Sequence, residues 1–157
     1  MEEMVFASES MKVMFDSLIT YGRRIFEMSM ITASLDIKFR GLYPNDYHEG
    51  KTNVYLESNN VFFIEKKKLS AFFSTISEPL IRGPVKRGEA TFFPGETAKR
   101  VRSEALLPLV YEKNLIGVLA FGSAKPGHFQ DGQGPLFLKR LSRAISLKMA
   151  IFHASNG

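Results

Sequence analysis

The chain has 157 residues, 45% hydrophobic and 24% charged, with a formal net charge of +5 and no cysteine. That size and balance suit one soluble domain with a core of its own. The missing cysteine excludes structural disulfides, thiolate metal sites, a cysteine nucleophile and a thioether-linked chromophore.

No run of about 18 apolar residues is present, so no membrane span is expected. The start MEEMVF is acidic and is not a secretory signal, so a cytoplasmic protein is expected. The 14 Phe, without Trp, predict a bulky aromatic core. His48, His128 and His153 lie far apart without HxxxH or HExxH spacing and give no cue for a metal site. Basic residues fall in small scattered groups and read as solvated faces, so nucleic acid is not an expected partner.

In chain order, Ser8 to about Met30 reads as a helix, with Ser8 as N-cap and residues 1–7 as a flexible end. Met11, Leu18 and Ile25 recur every seven residues and Met14 fills a second seam position. This row suits either packing on its own sheet or contact with a partner subunit. From Ile31 to Phe39 apolar and polar residues alternate, which predicts a strand with one buried face. Gly41–Thr52 is rich in turn formers and reads as a loop. Asn53–Glu57 and Val61–Glu65 are short strand candidates, and Lys66–Thr75 follows as a helix candidate.

Six Pro and Gly residues between Pro79 and Gly95 permit only short elements across Ser77–Thr97. This irregular crossover covers either a ligand or the core. Ser103–Tyr111 and Leu115–Ser123 are the strongest strands, joined by Glu112-Lys113-Asn114 as an antiparallel hairpin. Both are apolar at nearly every position, which predicts cover on both faces and a central place in the sheet. Pro108 predicts a bulge. A helix from about Pro135 to Phe152 carries Leu138, Leu141, Ile145, Met149 and Phe152 in one stripe, and residues 153–157 should fray.

Several of these residues resemble a specific pattern. SEALLPL, IGVLAFGS and the following Pro126, Phe129, Gly134, Phe137 and Leu138 are similar to the last third of a GAF domain, in an uncharacterised bacterial family of unknown function. Leu80–Pro84 and Phe92–Pro94 resemble the same family upstream of the hairpin, so the likeness runs over about Ser77–Phe152. The resemblance implies an α+β, GAF-like fold for residues 8–152. Its central antiparallel sheet would have about six strands, with the N- and C-terminal helices on one face and the crossover on the other. It also implies a ligand-sized cavity and helices that pair subunits, and it names no particular ligand or cofactor.

The ligand-binding residues expected are Phe62, Phe72, Phe73, Phe92, Phe93, Leu109 and Phe121 as apolar lining, with Arg82, Ser103 and Ser123 as polar anchors. Met11, Met14, Leu18, Ile25, Leu141 and Ile145 are the expected interface of a homodimer. No catalytic set is recognised: His128 reads as a surface loop residue, and Glu89, Glu96 and Glu104 show no paired spacing. The GAF-type methionine sulfoxide reductases use cysteines that this chain lacks. The expected function is therefore a non-enzymatic sensory or regulatory domain that binds a small, partly apolar molecule. The alternative is a protein-interaction module with a filled core.

Overall fold

The computed structural model describes residues 1–43, 48–49, 54–56, 60–73, 78–129 and 134–156. Two helices open the chain, α1 (Glu2–Ala7) and α2 (Met11–Ile25). Their break has a local cause. The Ser8 hydroxyl donates to the Met4 carbonyl and closes α1, while Ser10 Oγ accepts the Val13 N–H at 3.2 Å and starts α2. The N-cap is thus Ser10 rather than Ser8. Residues 2–7 form a helix with Val5 wholly buried, not a loose end.

Strand β1 (Met30–Asp36) follows. The alternation predicted it as far as Phe39, but the Asp36 carboxylate accepts the Lys38 N–H and begins a 3-10 turn over Ile37–Leu42. Next come β2 (His48–Glu49), β3 (Val54–Leu56), β4 (Val61–Ile64), α3 (Lys66–Ser70) and β5 (Leu80–Arg82). A 3-10 turn, Gly95–Arg100, lies within the crossover. The hairpin β6 (Ser103–Tyr111) and β7 (Asn114–Ser123) has a two-residue turn, with Glu112 and Lys113 both at positive φ. The bulge expected near Pro108 lies at Leu109/Val110. Helix α4 (Gly134–Asn156) closes the chain and includes most of the tail expected to fray.

Among the described residues the sheet has seven strands in the order β2-β3-β4-β1-β7-β6-β5, where about six were expected. One pairing departs from the antiparallel expectation: β1 and β4 run parallel. Alternation along the strands sorts side chains to two faces. Ile31, Ala33 and Leu35 of β1 join Leu107, Leu109, Leu119 and Phe121 beneath α1, α2 and α4. Leu106, Val118 and Ala120 join Leu69 of α3 with Phe92, Phe93, Ala98 and Val101 of the crossover on the other. The terminal helices and the crossover therefore take opposite faces, as the resemblance implied. Among the described residues no helix is long and apolar enough to cross a membrane.

The heptad row on α2 turns inward. Met11, Met14, Leu18, Leu141 and Ile145 are wholly or almost wholly buried in this subunit's own core, so five of the six expected interface residues are not available to a partner. Only Ile25, 60% exposed, remains on the surface. The reason is that sheet and helices bury that stripe within one chain, which satisfies its apolar periodicity without a second subunit.

Tyr43 sits in the same core, edge-on to Phe63, with its hydroxyl 3.5 Å from the Met11 carbonyl. Burial first, and the Asp16 charge second, hold the phenol well above its ordinary value. An acid whose folded pKa is raised keeps its proton longer in the folded chain. Its stabilising contribution is fully present below pH about 10 and is lost as pH climbs past that towards the folded pKa. Tyr43→Phe should change stability at neutral pH by less than about 1 kcal/mol. Denaturation followed against pH should show the wild type losing stability faster than the variant above pH about 10, and parallel curves would refute this.

Candidate functional site

The crossover face is built from strand residues that the sequence presents as polar. Thr32 and Ser34 alternate with the apolar residues of β1 and read as solvent-facing, yet both are wholly buried, because the crossover and α3 cover the face they point to. Thr32 Oγ1 donates to the Phe92 carbonyl at 2.6 Å, which fastens the crossover to the centre of the sheet. Ser34 Oγ has no hydrogen-bond partner among the described residues.

A second fastening lies at the β5–β6 end. Arg82 and Glu104 are register partners, with Arg82 Nη2 2.7 Å from Glu104 Oε2 and 3.7 Å from Glu89 Oε2. The Glu104 carboxylate is almost wholly buried and also accepts the Glu89 N–H at 2.8 Å. One buried acid thus holds the strand-borne arginine and the crossover backbone together.

A third fastening joins the strand ends to the loop before α4. Ser103 and Ser123 are register partners, and the Ser103 hydroxyl donates to the Lys125 carbonyl at 2.6 Å. Ser123 Oγ accepts the Lys125 N–H at 3.1 Å and lies 3.0 Å from His128 Nδ1. His128 Nε2 is 3.0 Å from the Phe26 carbonyl. A carbonyl only accepts, so in the neutral ring Nε2 carries the proton and Nδ1 accepts from Ser123. Gly83 lies against this loop: a side chain there would begin 2.6 Å from the Pro126 carbonyl oxygen and 2.8 Å from Ser103 Cβ. Only glycine permits that approach.

The sequence profile of a family described as "Protein of unknown function, DUF484" matches residues 73–153, just over half of the chain. The chain belongs to that family. No curated protein sequence gives a significant match. Several solved structures share its fold. Free methionine-R-sulfoxide reductase from Neisseria meningitidis, in complex with its substrate, is 15% identical with a TM-score of 0.61, covering 98% of this chain and 86% of the other. The GAF domain of Acinetobacter phosphoenolpyruvate-protein phosphotransferase is 16% identical with a TM-score of 0.57, covering 98% and 90%. The cyanobacteriochrome TePixJ GAF domain is 13% identical with a TM-score of 0.55, covering 96% and 95%. The DUF484 chain therefore has a GAF-like fold, and at these identities the likeness is one of fold alone.

Of the expected ligand residues in this DUF484 domain, Phe62, Phe72, Phe73, Phe92 and Phe93 lie on the crossover face, with Phe72 edge-on to Phe92 at 5.0 Å. Leu109 and Phe121 do not; they point into the helix-side core. In strands apolar on both faces, composition gives no clue to which residues face which layer, and register decides it. Arg82, Ser103 and Ser123 do gather at one end of the sheet, but their polar atoms hold the crossover and the loop. His128, expected as a plain surface residue, is half-buried and bonded at both nitrogens.

Surface clefts include one of about 590 Å³ lined by Asp16, Thr20, Arg23 and Asn60, and one of about 400 Å³ lined by Glu78 at the start of the crossover together with Pro108, Lys139 and Arg143. Sequence reasoning missed Thr32, Ser34 and Glu104. The available signal for Glu104 was an acid inside an otherwise apolar strand, a position that demands a partner.

Proposed function

We propose that this GAF-like domain is a non-enzymatic sensory or regulatory domain. It binds a small, partly apolar molecule between sheet and crossover and forms a homodimer through the outward faces of its terminal helices. The observation that carries the ligand half is the nature of the second layer. It is an irregular segment fastened at discrete points, through Thr32 and Glu104, over a face bearing Phe62, Phe72 and Phe92. Such a cover can open locally while the sheet and helix layer stay intact.

The Ser123–His128 pair does not support a nucleophile. Ser123 is buried, which closes its hydroxyl to a substrate, and its oxygen already accepts the Lys125 N–H. For the dimer half, Phe6, Leu147 (44% exposed) and Ile151 (46%) lie on the surface of α1 and α4, where Lys148 Nζ bonds the Phe6 carbonyl. These residues replace the buried heptad row as the proposed contact.

One observation favours the second reading, a filled interaction module: Phe92 and Phe93 are themselves almost wholly buried. Native mass spectrometry of the freshly purified protein, against the same sample denatured, separates the two. A dimer carrying a reproducible extra mass is the expected result. A dimer without adduct, whose melting temperature no metabolite raises, would transfer the proposal to the interaction module. A monomer at tens of micromolar would sink the dimer half.

A further inference from the structure

We infer that the compartment of the crossover face is centred on Ser34 and takes a small, neutral, largely apolar molecule with one hydrogen-bonding group, admitted by displacement of α3. This rests on the ligand reading above and names its site and chemistry.

The first support is the Ser34 hydroxyl itself. A buried hydroxyl without a partner opposes folding, and such groups are uncommon in native interiors. Two residues earlier Thr32 shows the ordinary solution, with its hydroxyl bonded to the Phe92 carbonyl. Ser34 Oγ has no such bond among the described residues. Alanine would fill the same position without that penalty, so the hydroxyl reads as a group kept for a molecule outside the chain.

The second support is independent and concerns what covers it. Register sets Ser34 beside Phe62 of β4 and Val118 of β7, and α3 packs over β1 and β7. Helix α3 is short and lightly secured. It has five residues, barely more than one turn, and no side-chain cap hydrogen bond. Leu69 is its one buried residue, and a Lys66–Asn114 bond at the surface adds a tether. An element held by one apolar side chain and an exposed bond is suited to move as a cover.

The chemistry of the ligand follows from its neighbours. Phe62, Leu69, Phe92 and Val118 are uncharged, so an ionised molecule would be left unpaired beneath them. A neutral ring or short chain with one donor or acceptor for Ser34 fits.

The test uses phenol and toluene, similar in size and differing by one hydroxyl, titrated into the full chain and into Ser34→Ala while backbone amide resonances are followed. Both probes should shift the amides of residues 32–36, 66–70 and 118 in the wild type. Ser34→Ala should weaken phenol about tenfold and leave toluene unchanged. Without probe, the variant should melt at a higher temperature than the wild type, because an orphaned polar group has been removed. Equal phenol affinity in both proteins would overturn the role of Ser34 while leaving the ligand reading standing. A lower melting temperature for the variant would also overturn it, since the hydroxyl would then be making a stabilising bond. Failure of both probes to shift those amides in the wild type would overturn the ligand reading and this inference together.

Discussion

Phe93→Ala is expected to destabilise the domain by about 4 kcal/mol, lowering its melting temperature by roughly 10 °C or more. The ring of Phe93 is wholly buried and closes the crossover onto the sheet through two glycines. A side chain at Gly122 would begin 3.0 Å from Phe93 Cε1, and one at Gly88 would begin 2.8 Å from Phe93 Cδ2. The ring thus occupies space that two backbone segments leave for it, and neither segment has side-chain atoms to fill the hole left by truncation. Chemical denaturation is the direct measurement. Benzene added to the variant should restore part of the loss, since an apolar cavity of this kind stays dry and accepts apolar guests. A loss under about 1 kcal/mol would mean that the crossover is loosely seated over the sheet.

Arg82→Met should be nearly as damaging, at about 3 kcal/mol, because it leaves the Glu104 carboxylate buried with its countercharge gone. Methionine retains an apolar stem over the acid, so water does not simply replace the guanidinium. The Arg82 side chain is itself 39% exposed, which places the effect at the low end for a broken buried pair. The reverse substitution should be milder. Glu104→Gln keeps an oxygen for the Glu89 N–H and leaves an arginine that can turn to solvent, so about 1 kcal/mol is expected. That ordering is the signature of a pin whose buried half is the acid. A larger loss for Glu104→Gln than for Arg82→Met in urea unfolding would show that the arginine, not the acid, bears the burial penalty.

Much of the architecture was legible in the residues. The hairpin, the bulge near Pro108 and the apolar rows of the terminal helices follow from periodicity and turn chemistry, which act over a few neighbouring residues, whereas the inward direction of those rows does not. The opposition of helices and crossover across the sheet came from the family resemblance. The strand expected to reach Phe39 stopped at Asp36 because one carboxylate found a backbone N–H two residues on. The single opening helix became two because Ser8 and Ser10 each took a backbone partner. Both are local competitions that apolar spacing does not report.

The candidate site was less legible. Alternation identified the polar row of β1 but not its burial, because cover by the crossover depends on residues about 60 positions away, as the Thr32–Phe92 bond shows. Glu89 and Glu104 show no paired spacing in the chain, yet they converge on Arg82 once β5 pairs with β6.

Sequence alone determined the mixture of helices and strands, the aromatic core and the absence of cysteine chemistry, since these rest on composition and on short-range periodicity. Only the tertiary structure decided which apolar residues face the crossover, which heptad residues remain free, and that Ser34 is buried without a hydrogen bond among the described residues. Each of those depends on strand register and on which distant segment comes to lie over a given face.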